Sequence, residues 1–266
     1  MLYIVLSIFA VICLYPVFFT LTSSLKNNTE IFTEPFSLPR TPQWENYVRA
    51  WTIGKMGVYF KNSIILTAAT LFVSAIIGSM ASYILAKYTF KGKSFVYILF
   101  LAGMMIPIQT VIIPLAFTFG KLGIVDNFPV LVLLYSAFCL SMTVFIVTGY
   151  MKGLPDELEE AAVMDGAGHG IVFFRIILPL SMPAIASASI FNFVSAWNNL
   201  LFPLVFISKD SMKTISIGLL SFFGAYTSDY GAVMAAIGVS IIPPIIMYIL
   251  LQEKMEKGLT AGAEKG

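Results

Sequence analysis

Charge is scarce in this chain. Asp, Glu, Lys and Arg make up 11% of its 266 residues, against about 25% in a soluble domain. With so few charges, much of the surface must face something other than water. Histidine is nearly absent, and the single His169 excludes a histidine-rich metal site. There are two cysteines, Cys13 and Cys139, both inside apolar runs. They read as small buried hydrophobes rather than a disulfide framework. Net charge is only +2, which gives no footing for nucleic-acid binding. Catalytic signatures are missing too. Gly92-Lys93-Ser94 ends like a phosphate loop, but position 87, where that motif needs glycine, is lysine. There is no His-Glu-x-x-His and no Gly-x-Ser-x-Gly. The chain is expected to be non-enzymatic, with no cofactor of its own.

What it has instead is hydrocarbon. Hydrophobic residues are 58% of the chain and mean hydropathy is +0.88. Aromatic residues are 14%, in keeping with interfacial Trp and Tyr belts. The fold class is an all-α polytopic membrane protein. A spanning helix needs about 20 apolar residues, and six charge-free runs meet that length: Met1–Leu25, Asn62–Ala86, Ser94–Gly120, Asn127–Met151, Ile176–Ser208 and Tyr230–Gln252. In the fifth, Pro179 and Pro183 predict a helix proper from near Pro183. The first run lacks a basic start and a small-residue cleavage site, so it reads as a retained helix and not a signal peptide. A seventh run, Thr214–Ser228, is too short to cross and reads as re-entrant or externally packed. Pro16, Pro107, Pro114, Pro203, Pro243 and Pro244 lie inside runs and mark packing irregularities or kinks.

No ionisable residue lies near the middle of any run. A charge there costs about 2.5–3.5 kcal/mol on insertion scales and is usually kept for function. Its absence argues against a proton-coupled carrier or pump. The scarce polar groups are Gln109, Asn192, Trp197, Asn198 and Asn199. Amides beside an indole suit a path for a neutral polyhydroxy solute; helix–helix hydrogen bonding is the alternative for each. Lys and Arg divide eight to eight between the two sides, so charge alone does not orient the chain, although the Lys87–Lys93 cluster favours its side as cytoplasmic.

One polar stretch stands out between the fourth and fifth runs. Leu154-Pro155-Asp156-Glu157-Leu158-Glu159-Glu160 has the form of a helix start, with proline in the first turn and acids at the positive dipole end. The helix should run to about Asp165. Gly166 and Gly168 permit a turn, and a second short segment, Gly170–Leu178, should stop at Pro179. Between Lys152 and Arg175 the net charge is −3, the wrong sign for lying on anionic lipid. A protein partner fits better. Ala161 and Ala162 would let another backbone approach, and Glu160 can anchor a cationic partner or cap the local turn.

Glu160-Ala161-Ala162-x3-Gly166-x9-Ile176-x-Leu178-Pro179 resembles, at every motif position, the EAA loop of ATP-binding-cassette (ABC) importer permeases. Tyr59-Phe60-Lys61-Asn62-Ser63, Ser195-Ala196-Trp197-Asn198-Asn199 with Phe202-Pro203-Leu204, and the tail Gly258–Gly266 are similar to the maltose-type carbohydrate permeases. The polar extension common before the first helix there is nearly absent. The resemblance implies a type I ABC importer permease fold of six transmembrane helices. It also implies a cytoplasmic EAA coupling helix, with Glu160, Ala161, Ala162, Asp165, Gly166, Ile176, Leu178 and Pro179 as the ATPase-coupling residues. Three regions follow: residues 1–59 as first helix and external loop, 60–251 as permease core with the EAA loop at 152–180, and 252–266 as a cytoplasmic tail.

The implied partners are a second permease subunit, two ATPase subunits that bind ATP and Mg, an external solute-binding protein touching the loop 208–229, and a sugar, expected to be an oligosaccharide. The implied location is the bacterial plasma membrane with both termini cytoplasmic. A permease for a polyol or glycerol phosphate, or a stand-alone carrier or channel, is the alternative. A phosphate would call for cations that the runs do not offer.

Overall fold

The computed structural model describes residues 2–225 and 229–263, and every element among them is helical. In chain order these are α1 (Leu2–Ser23), α2 (Asn28–Thr33), α3 (Glu45–Thr52), α4 (Met56–Lys87), α5 (Lys93–Met105), α6 (Ile108–Leu122) and α7 (Phe128–Met151). There follow α8 (Glu157–Met164), α9 (His169–Leu180), α10 (Met182–Trp197), α11 (Leu201–Phe206), α12 (Ile215–Ala225) and α13 (Tyr230–Ala263). Helix is what hydrocarbon allows, because each backbone N–H and C=O finds its partner within the segment.

Four helices, α1, α4, α7 and the Tyr230–Glu253 part of α13, are long and apolar enough to cross unbroken; the number reaches six if each of two bent pairs forms one span. The third charge-free run is therefore not a single helix. It breaks between α5 and α6 with a 96° bend. Ile106, the residue before Pro107, is extended at φ −82°, ψ 111°, as a following proline demands. Pro114 sits inside α6 without breaking it. In the fifth run, α10 opens at Met182 with Pro183 in its first turn, where no intrahelical N–H is needed. The segment expected to stop at Pro179 continues to Leu180 and turns at Ser181, 70° from α10. It reaches Pro179 through a π-helical turn, Phe173–Ile177, a local widening of the helix.

The seventh run forms α12; its end at Ser228 lies outside the described residues. The tail is helical as far as Ala263, and Glu264 to Gly266 lie outside the described residues.

The chain groups into two compact units, Met1–Ser63 with Lys209–Pro243, and Ile64–Ser208 with Pro244–Gly266. In the first unit a lysine organises the loop after α1. Lys26 is fully buried and its Nζ donates to the carbonyls of Glu34 (2.9 Å) and Pro35 (3.1 Å), just past the end of α2. Those oxygens would otherwise be orphaned at a helix C-terminus, where a cation is favoured. In the second unit α7 packs against α5 and α10. Its buried face carries Ser136, Ser141, Thr143 and Thr148, small residues that let helices approach. Thr143 is the hub. Its Oγ1 accepts from Asn192 Nδ2 at 2.8 Å and donates to Cys139 O at 3.0 Å. Its methyl group faces Gly78 of α4, where an added Cβ would lie 2.5 Å from Thr143 Cγ2.

Gly78→Ala should therefore destabilise the fold by about 1–3 kcal/mol through overpacking. Adding Thr143→Ser, which deletes the methyl and keeps the hydroxyl for Asn192, should recover part of that loss. Thermal unfolding of Gly78→Ala, Thr143→Ser and the double variant in detergent measures it, and a coupling energy near zero would contradict the contact.

Candidate functional site

The acidic stretch folds as its sequence suggests. Asp156 precedes α8, Glu157, Glu159 and Glu160 fill its first turn, and Asp165 closes it. Gly166 then takes φ +83°, a left-handed conformation that costs a side chain about 1–2 kcal/mol. Gly168 does not use that freedom, at φ −74°.

The EAA residues divide by direction. Ala162, Ile176 and Leu178 pack inward, against a core of Tyr83, Val147, Met151, Val172, Phe173, Ile177, Ala184, Ile185 and Ala188. Glu160, Ala161, Asp165, Gly166 and Pro179 are exposed. So are two apolar neighbours, Val163 and Met164, the latter 86% exposed. The outward side thus combines an acid, a small residue and uncovered apolar groups. The Glu160 side chain makes no hydrogen bond or ion pair among the described residues, so it does not cap its own turn; its N–H donates to Asp156 O.

The other side of α8 is clamped to the end of α4 by residues that sequence reasoning did not single out. Lys87, only 5% exposed in its side chain, donates to Leu154 O and to Asp156 Oδ1, both at 2.6 Å, and lies 3.8 Å from Glu159 Oε1. Tyr83 donates to Glu159 Oε2 at 2.9 Å. The Tyr83 and Tyr88 hydroxyls lie 3.3 Å apart, and Tyr88 shares a 2.8 Å bond with His169 Nδ1. A phenol has one hydrogen to give. With Tyr83's used on Glu159, the Tyr88 hydrogen serves either Tyr83 or His169 Nδ1, and the histidine tautomer sets which. A groove of about 450 Å³ opens here, lined by Lys87, Tyr88, Glu159, Glu160, Val163, Met164, His169 and Val172. The clue in the sequence was Lys87 at the end of a charge-free run. Nothing in the sequence indicated that its partner would lie some 70 positions on.

The Lys87 hydrogen bond, then its charge, hold the Asp156 carboxyl below its ordinary range. A depressed carboxylate adds stability above its unfolded-state pKa, and that contribution fades as pH falls through the lowered folded value. Asp156 is largely exposed, so salt weakens the effect.

The other polar candidates do not form one site. Asn192 is buried and bonded to Thr143, the interhelical role. Trp197 is buried and stacks on Phe193 at 5.7 Å. Asn198 is the exposed C-cap of α10, and Asn199 Oδ1 accepts from Phe202 N as α11 begins. Gln109 is exposed in the first turn of α6 and makes no hydrogen bond to the asparagines among the described residues. Among the described residues no three potential ligands gather for a metal.

Several helices long and apolar enough to cross a membrane define a multi-pass membrane protein. Residues 75–261 match the model of the family described as "Binding-protein-dependent transport system inner membrane component". The chain is 35% identical to the diacetylchitobiose uptake system permease protein NgcG of Streptomyces coelicolor, over 97% of this chain and 86% of that one. It is 33% identical to the arabinooligosaccharides transport system permease protein AraQ of Halalkalibacterium halodurans, over 97% and 93%. With the multiple sugar-binding transport system permease protein MsmG of Streptococcus mutans it shares 33% over 99% and 96%. Its fold matches a chain in the crystal structure of a bacterial ABC transporter involved in the import of the acidic polysaccharide alginate, with TM-score 0.80 and 24% identity over 94% of both chains. The chain belongs to the binding-protein-dependent transport system inner membrane component family. These are multi-pass, non-catalytic permease subunits of ABC transporters, which implies a partner ATPase and a substrate-binding protein.

Replacing Lys87 by methionine keeps the buried volume but strands Glu159 beside the core. Amide hydrogen exchange across residues 157–164 should then accelerate roughly tenfold, the scale of losing a charge-assisted hydrogen bond. In the unaltered protein the protection of these amides, taken relative to the intrinsic exchange rate at the same pH, should be flat around neutral pH and should fall only as pH drops below the ordinary carboxylate range.

Proposed function

We propose that this chain is the membrane-spanning half of the translocation path in an ATP-driven importer of a neutral oligosaccharide. The observation that carries the coupling role is α8 itself: clamped at its base to a spanning helix, uncovered by its own chain on its outer side. Exposed apolar groups on a helix outside the hydrocarbon mark a docking surface. The outer side, with Glu160, Ala161, Asp165 and Gly166, seats in a cytoplasmic ATPase subunit, one of two that bind ATP and Mg. Ala162, Ile176 and Leu178 tie α8 and α9 to the core, and Pro179 stands exposed beside them.

When the ATPases close, they push α8. Because Lys87, Tyr83 and Glu159 join α8 to the end of α4, the push reaches a rigid 32-residue helix, about 48 Å long. Rocking of the bundle then switches a central path between outside and inside. Both termini are cytoplasmic, in the bacterial plasma membrane. A second, different permease subunit forms the other half of the path, and an external binding protein delivers the solute. Asn198, Asn199 and Gln109 are the candidates for wetting the path, since Asn192 is engaged between helices and Trp197 is buried. The named relatives concern sugars, and the runs contain no cation for a phosphate. Both support a neutral saccharide.

Glu160→Lys should abolish uptake in cells while membrane insertion, read by protease mapping, is unchanged. Gly166→Leu should do the same, whereas Gly166→Asn, which tolerates positive φ, should retain much of the activity. A cysteine at Ala161 should crosslink to the ATPase. Its labelling from outside intact cells, or normal transport in Glu160→Lys and Gly166→Leu, would end the lever model.

A further inference from the structure

The first compact unit contains a second polar feature, unrelated to α8. Asn27, Asn28, Thr29, Gln43, Asn46, Arg49 and Asp229 line an open cavity of about 610 Å³, within the ~300–1,000 Å³ range of small-molecule sites. A cavity walled by four amides, a hydroxyl and an ion pair calls for an explanation in so apolar a chain. Its walls are held in place by bonds that need no ligand. Arg49 Nε donates to Asp229 Oδ2 at 2.8 Å and its Nη2 to Asp229 Oδ1 at 3.2 Å and Asn46 Oδ1 at 2.6 Å. Asn46, 2% exposed, donates to Ser24 O and Lys26 O at 2.8 and 2.9 Å. Asn28 Oδ1 accepts from Gly231 N at 3.3 Å. The buried Lys26 ammonium secures the same loop beneath them.

Over this frame the Thr29 hydroxyl and Gln43 Oε1 have no partner among the described residues. The Arg49 and Asp229 side chains stay about one-third exposed, at 34% and 31%. The electrostatics select the ligand's charge. Arg49 is neutralised by Asp229 at 2.8 Å, with Glu45 a further 3.9 Å neighbour, so an anion meets carboxylates and a cation meets a guanidinium. Amides, hydroxyl and a bidentate ion pair together offer donors and acceptors side by side, the pattern that vicinal hydroxyls satisfy. An aromatic pair stands alongside: Phe32 on the next turn of α2 from Asn28, and Tyr230 after Asp229, with centroids 4.8 Å apart and both rings exposed. Such faces suit the apolar side of a sugar ring.

We propose that this cavity is a saccharide subsite: a place on the permease that holds a neutral polyhydroxy solute between its release from the binding protein and its entry to the path. The proposal rests on the sugar-importer reading and on this unit's loops facing outward. The openness of the cavity makes it a transfer site of low affinity, so its signature is in transfer efficiency.

The test uses the complete transporter in proteoliposomes with its binding protein and diacetylchitobiose, arabino-oligosaccharides or malto-oligosaccharides, taking forward whichever the unaltered complex imports. Thr29→Val with Gln43→Leu removes the two unengaged groups and leaves the Arg49–Asp229–Asn46 frame intact. Sugar imported per ATP hydrolysed should fall at least threefold, with binding-protein-stimulated ATP hydrolysis unchanged. A docking or folding defect would lower both together, and that outcome, or an unchanged ratio, overturns the subsite while leaving the importer reading in place. Import of none of the three sugars by the unaltered complex overturns both.

Discussion

Water is absent from the hydrocarbon core, and the rest of this structure follows from that. A backbone group left unpaired there costs several kcal/mol, so every regular element among the described residues is a helix. The same constraint banishes charge from the middle of the spans and withdraws the hydrophobic effect as the force between helices. What remains is close packing and a few interhelical hydrogen bonds. Thr143 shows both at one residue, with its methyl against Gly78 and its hydroxyl between Asn192 and Cys139.

Charge confined to helix ends becomes concentrated there, and two polar assemblies among the described residues are of this kind. At the end of α4, Lys87 is buried to 5% yet sits within reach of two carboxylates and a carbonyl, so the acidic helix is anchored where the span leaves the membrane. In the other unit Arg49, Asp229 and Asn46 knit α3 to the start of α13, and Lys26 closes the end of α2. The first assembly leaves a face of α8 uncovered. The second leaves a polar cavity. Both are braced by the chain itself.

The spans were legible because charge and its absence are one-dimensional facts. Lys93, Lys121, Asp126 and Lys152 bound helices in the structure within a few residues of where they bound runs in the sequence. Direction was not legible. Pro107 turns the chain through 96° and Pro114, seven residues later, lies inside a helix; composition does not tell the two apart, since the outcome depends on what packs around the freed carbonyl. Likewise Pro179 ends nothing, because a π-helical turn takes up the distortion before it.

The motif positions could be read directly from the sequence, and so could the helix, its acidic start and the glycine at its end. Which of the paired alanines faces the bundle could not, nor that Asn192 serves Thr143. The sequence alone determined the class of the protein, the number of apolar runs and the place of the acidic helix, because these depend on local composition and spacing. Tertiary structure decided which side of that helix is offered to a partner and which residues brace it. It also gathered Asn28, Arg49 and Asp229 around one cavity, since partners separated by tens to nearly two hundred positions meet only when the helices between them have packed.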